Sequence, residues 1–527
     1  MMMTHRLRQL ALSTICAALV LGSFVAQASA AKSPDQINNM LSAWQMADAK
    51  AAIDTLADEF PGDANTLYLQ ARYDFFQGDY EQAGQKLDQA IANGGEKPRW
   101  IHLRDLVKAT HEVTKDYVKY TSSKGRFEIY VPKGKDQVLI PFAAEALEQA
   151  YEEVGDELGY KPATPIRVEV YPRTATLAKV STLTEQEIRT SGTIALCKYN
   201  RLMITSPRAL LQGYGWVDTL VHEYVHYVIN SKTQNRVPIW MHEGLAKFLE
   251  RRWRGPNAQK LPPSSQSLLK KRVDADDLIT FEQMHPSMAK LPSQEDAAVA
   301  FAQVYTVMEY LREQVGEKAF ENLLDAVNDG LDARAAFAKT VGKPFATFEK
   351  EWLVYLKARD MTNLPDDSGY EEKLRFKEEN ASKSEVNEIE QPEARDHMHL
   401  GEMLQARNRH GAALVQYKKA SHLLGQTNPV LQTRQAQCML EGNDAKGALA
   451  VLEPVREKYP GYVHAWVEMG KASLALGQYA EARDYLNEAA RINPFDPEVH
   501  QKLSEAYEKL GETDMAEKFR KFAKLVS

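Results

Sequence analysis

Hydrophobic and polar positions change rhythm along the chain, and the changes mark its parts. Arg126–Val131 (RFEIYV) and Ile166–Tyr171 (IRVEVY) are short β-rich runs. Between them, Pro141–Gly159 spaces its apolar residues three and four apart, the period of a helix with one buried face. Thr193–Thr205 reads as a further strand or hairpin, and from Trp216 to about residue 359 the pattern is helical almost throughout. Strands first and helices after predict an α+β unit over 125–359. The chain opens differently. His5, Arg6 and Arg8 precede a mostly apolar Leu10–Val25, and Ala28-Ser29-Ala30 comes next, so residues 1–30 read as a cleaved signal peptide. An uncleaved anchor helix is the alternative. Cys16 follows Ile15, whereas a lipoprotein site wants a small residue there. No later run approaches the ~18 apolar residues of a membrane helix, so no stable membrane span is expected.

On both sides of this unit the sequence repeats itself. Gly477, Ala482 and Ala489 recur 34 residues later as Gly511, Ala516 and Ala523, with Gly470, Tyr479, Leu486 and Pro494 around them. Small residues at the crossing of paired helices, with Pro after the second, resemble the tetratricopeptide repeat (TPR) and its 34-residue period. Looser copies at Gly401, Ala413 and Ala420, and at Gly442 with Pro460, extend the C-terminal solenoid to four repeats over 394–527. A shorter set over 35–118 carries Ala71, Gly78, Tyr80, Ala83, Leu87 and Ala90 at matching positions, with Pro61 ending a degenerate copy. Two repeats are marginal alone, so this segment is expected to pack on the unit after it. Residues 360–393 read as a charged linker, or as a polar helix leading into the C-terminal solenoid. The resemblance implies a protein partner or substrate held by the repeats, while the framework positions themselves say nothing of what is bound.

Composition narrows the class. The 527 residues are 44% hydrophobic and 26% charged, enough apolar material for several cores, which excludes wholesale disorder. The net charge of −7 gives no basic footprint, so no nucleic-acid partner is expected. Beyond the signal segment only Cys197 and Cys438 remain, read as two isolated thiols, with a bridge as the alternative. Cysteine scarcity in an exported chain fits a bacterial periplasm better than a disulfide-rich secreted module.

The chemistry lies in the helical stretch. His222-Glu223-Tyr224-Val225-His226 is an HExxH, which sets two imidazoles on one helix face a turn apart, close enough to share a metal. Val217, Leu220, Val221, Val225 and Val228 would bury the helix. A second helix begins at Pro238 (PIWMHEGLAKFLE), and its Glu243 comes 17 positions after His226, room for a loop and a return. Gly244 and Ala246 would let this helix approach the first closely. Two His and one Glu form the protein ligand set of a catalytic zinc with an open fourth position. Glu250 stands as a weaker third ligand, and His242 is excluded because it does not share the face of Glu243.

These motifs resemble the peptidase MA-like domain of the gluzincin metallopeptidases, a thermolysin-like fold, over about residues 125–359. The resemblance implies one zinc per chain held by His222, His226 and Glu243, with Glu223 as general base in peptide hydrolysis. Such an enzyme also needs an oxyanion donor. Tyr305 is the candidate, with a tyrosine packed in the core as the equal alternative. Two departures stand out: Lys247 replaces the Asp that holds one imidazole in thermolysin-like enzymes, and the GxMEN stretch of the aminopeptidases is absent, which favours an endopeptidase. Substrate would then pair along Gly192–Leu202 as an added strand. Arg251, Arg252 and Arg254 read as cations at a helix end, and His397 and His399 as solvated. The expectation is a periplasmic or secreted zinc metallopeptidase whose repeats recruit a protein substrate. The rival is an envelope assembly or chaperone-like TPR scaffold with a weakly active or inactive peptidase domain.

Overall fold

The computed structural model describes residues 32–256, 258, 260–364, 370, 373–377, 385–425 and 427–527. The signal-peptide reading of 1–30 therefore lies outside the described residues. No helix among the described residues is long and apolar enough to cross a membrane. Five helices come first: α1 (Pro34–Ser42), α2 (Met46–Glu59), α3 (Ala64–Gln77), α4 (Tyr80–Gly94) and α5 (Pro98–Thr114). α1 opens with a Ser33–Gln36 capping box, and α3 is capped by Asp63 and closed by Gly78 at φ +88°. These helices pack as two TPR-like pairs plus α5 around Ile37, Phe75, Tyr80, Leu87 and Trp100.

The central unit holds a five-stranded mixed sheet in the order β1-β2-β3-β5-β4. Its strands are β1 (Val118–Thr121), β2 (Phe127–Val131), β3 (Ile166–Tyr171), β4 (Ala195–Lys198) and β5 (Arg201–Thr205). β2, β3 and β5 run parallel, while β1 and β4 are antiparallel edges. β4 and β5 form the expected hairpin, closed over Tyr199 and Asn200, both at positive φ as a two-residue turn requires. One face presents Phe127, Ile129, Val168, Val170, Leu202 and Ile204 to the core beneath α6 (Ile140–Leu158) and α9 (Trp216–Thr233). Between β3 and β4 lie two short helices that the pattern did not announce, α7 (Thr174–Lys179) and α8 (Glu185–Ser191).

The other sheet face looks polar in the sequence yet is not solvated. Glu169 is fully buried there. It accepts hydrogen bonds from Tyr80, Tyr171 and Arg167, and pairs with the fully buried Arg201. The Arg201 guanidinium in turn lies over Phe75, Tyr80 and Tyr199 and donates to the Phe75 carbonyl. The N-terminal repeats thus dock on the sheet through a buried ionic knot. Burial alone would raise the Glu169 pKa, but Arg201 and Arg167 hold it below the usual carboxylate range.

After α9 come α10 (Ile239–Leu249), α11 (Pro263–Asp274), α12 (Gln294–Val315), α13 (Ala319–Asn328), α14 (Ala333–Val341) and α15 (Phe345–Ala358). The C-terminal solenoid has four helix pairs, from Pro392–Gln405 with His410–Leu424 to Pro497–Lys509 with Thr513–Val526. A Cβ at Gly401 would overlap Tyr417, and one at Gly470 would overlap Leu486, so each glycine permits the close crossing within its pair.

The reading of 360–393 as a charged linker needs correction. Among its described residues Arg375, Phe376, Val386 and Ile389 are buried. Phe376 bridges Leu210 of the central unit, and Arg375 pairs with Glu385 and Glu388. Tyr370 packs edge-on against Tyr459 and Tyr462 of the solenoid. The described residues of this stretch are fixed at both ends, and Arg375 pairs within it instead of facing water. The solenoid is also tied down directly. Lys135 donates to the Val526 and Ser527 carbonyl oxygens at 2.6 and 2.8 Å, and Val526 is buried in the central core.

Candidate active site

α9 is buried almost all round: Trp216, Leu220, Val221, Tyr224, Val225 and Val228 are all 0% exposed. Tyr224 meets Phe127 of β2 edge-on at 5.5 Å and stacks on Tyr151 of α6, which fixes the helix's rotation. His222, Glu223 and His226 then face away from that core into a cleft of about 670 Å³. The helix ends at Gln234, left-handed at φ +56°, and Asn235 comes next at φ +59°. These two residues turn the chain back into α10, which carries Glu243. Gly244 does not serve the α9 contact expected of it. A Cβ there would lie 2.9 Å from Met308 Cε and 3.0 Å from the Val304 carbonyl, so it is α12 that approaches closely.

Three side chains converge. Nε2 of His222 and Nε2 of His226 lie 3.1 and 3.2 Å from the same oxygen, Oε2 of Glu243. One ligand atom from each of the three lies within 4.8 Å of the others, a spacing that one metal ion could bridge. The outer ring nitrogens are also committed. Glu250 Oε2 stands 3.1 Å from His222 Nδ1, and Lys247 holds the other Glu250 oxygen at 2.7 Å. On His226, Nδ1 meets Nδ1 of His242, whose Nε2 lies 2.7 Å from Asn230 Oδ1. Burial, helped by His226, pushes the His242 pKa well below the usual imidazole value, so this ring is neutral. Its Nε2–H donates to Asn230, which leaves Nδ1 as an acceptor; His226 must then donate from Nδ1. Both ligand candidates are thereby held at Nδ1 by an outer partner with Nε2 aimed at the centre, the orientation that a metal ligand needs.

The electrostatics agree with a centre that expects positive charge. Burial lowers the His222 pKa, but Glu243 and Glu250 overcome it and raise it to about 10. Burial works against ionisation of Glu243 too, yet His226 and His222 hold it well below the carboxylate range. The fit to a metal is therefore good on two grounds, a nitrogen-nitrogen-oxygen donor set of borderline hardness and outer partners that fix the ring orientations.

Glu223 faces the same cleft. Burial pushes its pKa up against the opposing pull of His226, His222 and the nearby Cys197 backbone N–H. Cys197 lies on β4, so the edge strand borders the site as the strand-addition reading expects. Both thiols are free, that of Cys438 buried and that of Cys197 pushed well up in pKa by burial and by Glu223.

Two expectations are corrected here. Glu250 is not an alternative third ligand. It lies seven residues after Glu243, two turns on, and so reaches the far nitrogen of His222 instead of the near one. It supplies the imidazole partner that Lys247 could not, and the seven-residue spacing was the signal available for it. Tyr305 is not brought to the cleft. It is buried on α12 against Phe248, ring centroids 5.2 Å apart, beside a separate small recess behind α10. Of the three arginines, Arg252 pairs with Glu157 at 3.1 Å, while Arg251 and Arg254 line the cleft.

Sequence reasoning missed the opposite wall. Pro460, Gly461, Glu488, Arg491 and Ile492 of the solenoid line the cleft that holds His222. The Tyr214 N–H donates to the Ile492 carbonyl at 3.1 Å, and Arg254 joins Asp218 at 2.7 Å to Glu488 at 2.9 Å.

Comparison with known proteins agrees with this architecture. Residues 146–358 match the Peptidase MA superfamily, and residues 439–506 and 473–519 match the tetratricopeptide repeat. The chain thus carries a Peptidase MA superfamily domain in its middle and TPR repeats after it. No curated protein matches. Similar solved structures are TPR proteins. That of TTC0263, a thermophilic TPR protein in Thermus thermophilus, is 26% identical and covers 25% of this chain and 72% of its own, with a TM-score of 0.24. MamA 41-end from Desulfovibrio magneticus RS-1 is 20% identical, covering 27% and 81%, with a TM-score of 0.24. The Sgt2 TPR domain from Aspergillus fumigatus is 20% identical, covering 24% and 83%, with a TM-score of 0.23.

Proposed function

We propose that this chain is an exported zinc metallopeptidase of the gluzincin type, an endopeptidase whose TPR repeats bring protein substrate to the cleft. The observation that carries the reading is the convergence of His222 Nε2 and His226 Nε2 on Glu243 Oε2, with both outer nitrogens held by side-chain partners. His222, His226 and Glu243 would hold the ion. When bound, zinc supplies a Lewis acid that polarises a carbonyl and acidifies water.

The chain's own residues do the rest. Glu223, whose burial raises its proton affinity, takes a proton from the attacking water on its carboxylate and returns it to the leaving amine. That carboxylate lies beside Cys197 of the β4 edge, where an extended peptide would pair. Glu250 and His242 keep the two imidazoles from rotating. The leader-like residues 1–30 support export to the periplasm or beyond.

The test is hydrolysis of an unstructured protein such as casein by the full chain. The reading expects cleavage between internal residues, loss of cleavage on chelation, recovery with zinc, and about one zinc per chain that Glu243→Ala removes. The rival, a TPR scaffold with an inactive peptidase domain, is favoured by the solenoid forming a cleft wall. It expects bound zinc without turnover.

A further inference from the structure

Four Lys and Arg side chains line the cleft among the described residues: Lys247, Arg251, Arg254 and Arg491. Three of them are taken. Lys247 holds Glu250 at 2.7 Å, Arg254 holds Asp218 and Glu488 at 2.7 and 2.9 Å, and Arg491 donates to Glu488. Arg251 is different. Its Nε sits 3.5 Å from Asp218 Oδ2, too far for a hydrogen bond, and is buried without a hydrogen-bond partner. Its terminal nitrogens have no partner among the described residues, although the side chain is only 30% exposed. Asp218 bonds Arg254 and the Trp253 indole N–H through Oδ1, at 2.7 and 3.0 Å; its Oδ2 makes a long ion pair with Arg251 Nε and leaves the terminal nitrogens of Arg251 without an acceptor.

The charge balance at this end of the cleft points the same way. Asp218 and Glu488 face Arg251, Arg254 and Arg491, an excess of one positive charge. A half-buried guanidinium with unused N–H groups lacks the hydrogen bonds it would make in water, and a planar two-oxygen acceptor restores them best. Arg251 follows the C-terminal end of α10, two turns beyond Glu243, and lines the cleft that holds the three-residue centre.

We propose that Arg251 is a specificity-determining residue of the cleft, which receives a carboxylate of the peptide substrate, supplied either by an Asp or Glu side chain or by a free C-terminus. The proposal rests on the peptidase reading above and adds a substrate class to it. The solenoid has an indirect part: Glu488 holds Arg254 aside, which leaves Arg251 as the available donor.

The experiment is equilibrium binding to the full chain carrying Glu223→Gln, so that bound peptide is not consumed. The probes are fluorescein-labelled unstructured peptides of one sequence, scanned with Glu against Gln at each position, each with a free or an amidated C-terminus. Anisotropy should show about tenfold tighter binding for one carboxylate-bearing form; a position in the scan identifies a side chain, and the free terminus identifies an end. Arg251→Ala should erase the difference, and Arg251→Lys, which keeps the charge without the planar fork, should restore part of it. Circular dichroism and zinc content check that each variant is folded. Equal affinity within every pair, including no binding by either member, or a preference that survives Arg251→Ala, overturns the proposal. Turnover of the tightest peptide by the wild type is measured in parallel. Absence of cleavage with the binding difference intact counts against the peptidase reading alone.

Discussion

Glu169→Gln should loosen the N-terminal repeats from the sheet. The substitution keeps the volume and one acceptor, but it removes the carboxylate that faces Arg201 and Arg167 in the docking interface. Glu169 and Arg201 are both 0% exposed, whereas Arg167 keeps 15% of its side chain in contact with water. Breaking a buried pair by removing one partner costs about 3–5 kcal/mol, because the remaining charge stays desolvated. Arg167 can recover hydration, so the lower end applies, about 3 kcal/mol or roughly 150-fold in the docking equilibrium. Hydrogen exchange read by mass spectrometry on peptides covering α3, α4 and β3 should show protection falling by that order. Glu152→Gln, which removes an exposed ion pair with Arg126 and Lys161, should leave those peptides unchanged. The pH dependence has a definite sign. The folded pKa of Glu169 lies below the ordinary value of 4.5, so its contribution is complete above that value. It is lost only as pH falls further, through the folded pKa. Less than a fivefold change in protection for Glu169→Gln would refute the buried-knot account.

Glu250→Ala should weaken zinc binding about 10–100-fold, as loss of an outer-shell partner does, in competition against a chelating dye; unchanged affinity would mean that His222 needs no such support. Tyr305→Phe should leave kcat/KM within about twofold, since the ring packs behind α10, whereas loss of an oxyanion donor lowers kcat by about 10²–10³. Gly213→Ala places a Cβ against the Ile492 carbonyl oxygen at a φ of +72°, so the solenoid wall should separate from the start of α9. Limited proteolysis should then cut near residues 209–215 faster than in the wild type, and equal rates would contradict the docking described.

Much of the centre was legible because it is local. An i, i+4 pair of histidines shares a face whatever the fold, and a glutamate on the next helix can return to them. The five-residue HExxH and the downstream PIWMHEG therefore carry more information than their length suggests. The hidden features depend on distant partners. IRVEVY alternates as a half-solvated strand would, and nothing within it says that Arg167 and Glu169 face helices from residues 64–94. β1 (VKYT) escaped notice because three of its four residues are exposed, and pairing with β2 alone makes it a strand. Gly244 was assigned to the wrong neighbour for a similar reason: a small residue announces a close approach without saying by which helix. Glu488 and Arg491 obey ordinary repeat spacing, so their place in the cleft could be learned only from the docked solenoid. The charges of 360–393 suggested solvent, yet Arg375 pairs internally while Phe376 sits in the core.

The account turns on Glu223 as the base of a hydrolytic zinc centre. The most direct measurement is the casein-hydrolysis rate of the wild type against Glu223→Gln, with zinc determined on the same samples. The account predicts equal zinc, about one per chain, and a rate lower by about 10²–10⁴ in the variant, the range for removing a general base. Equal rates at equal zinc would contradict it.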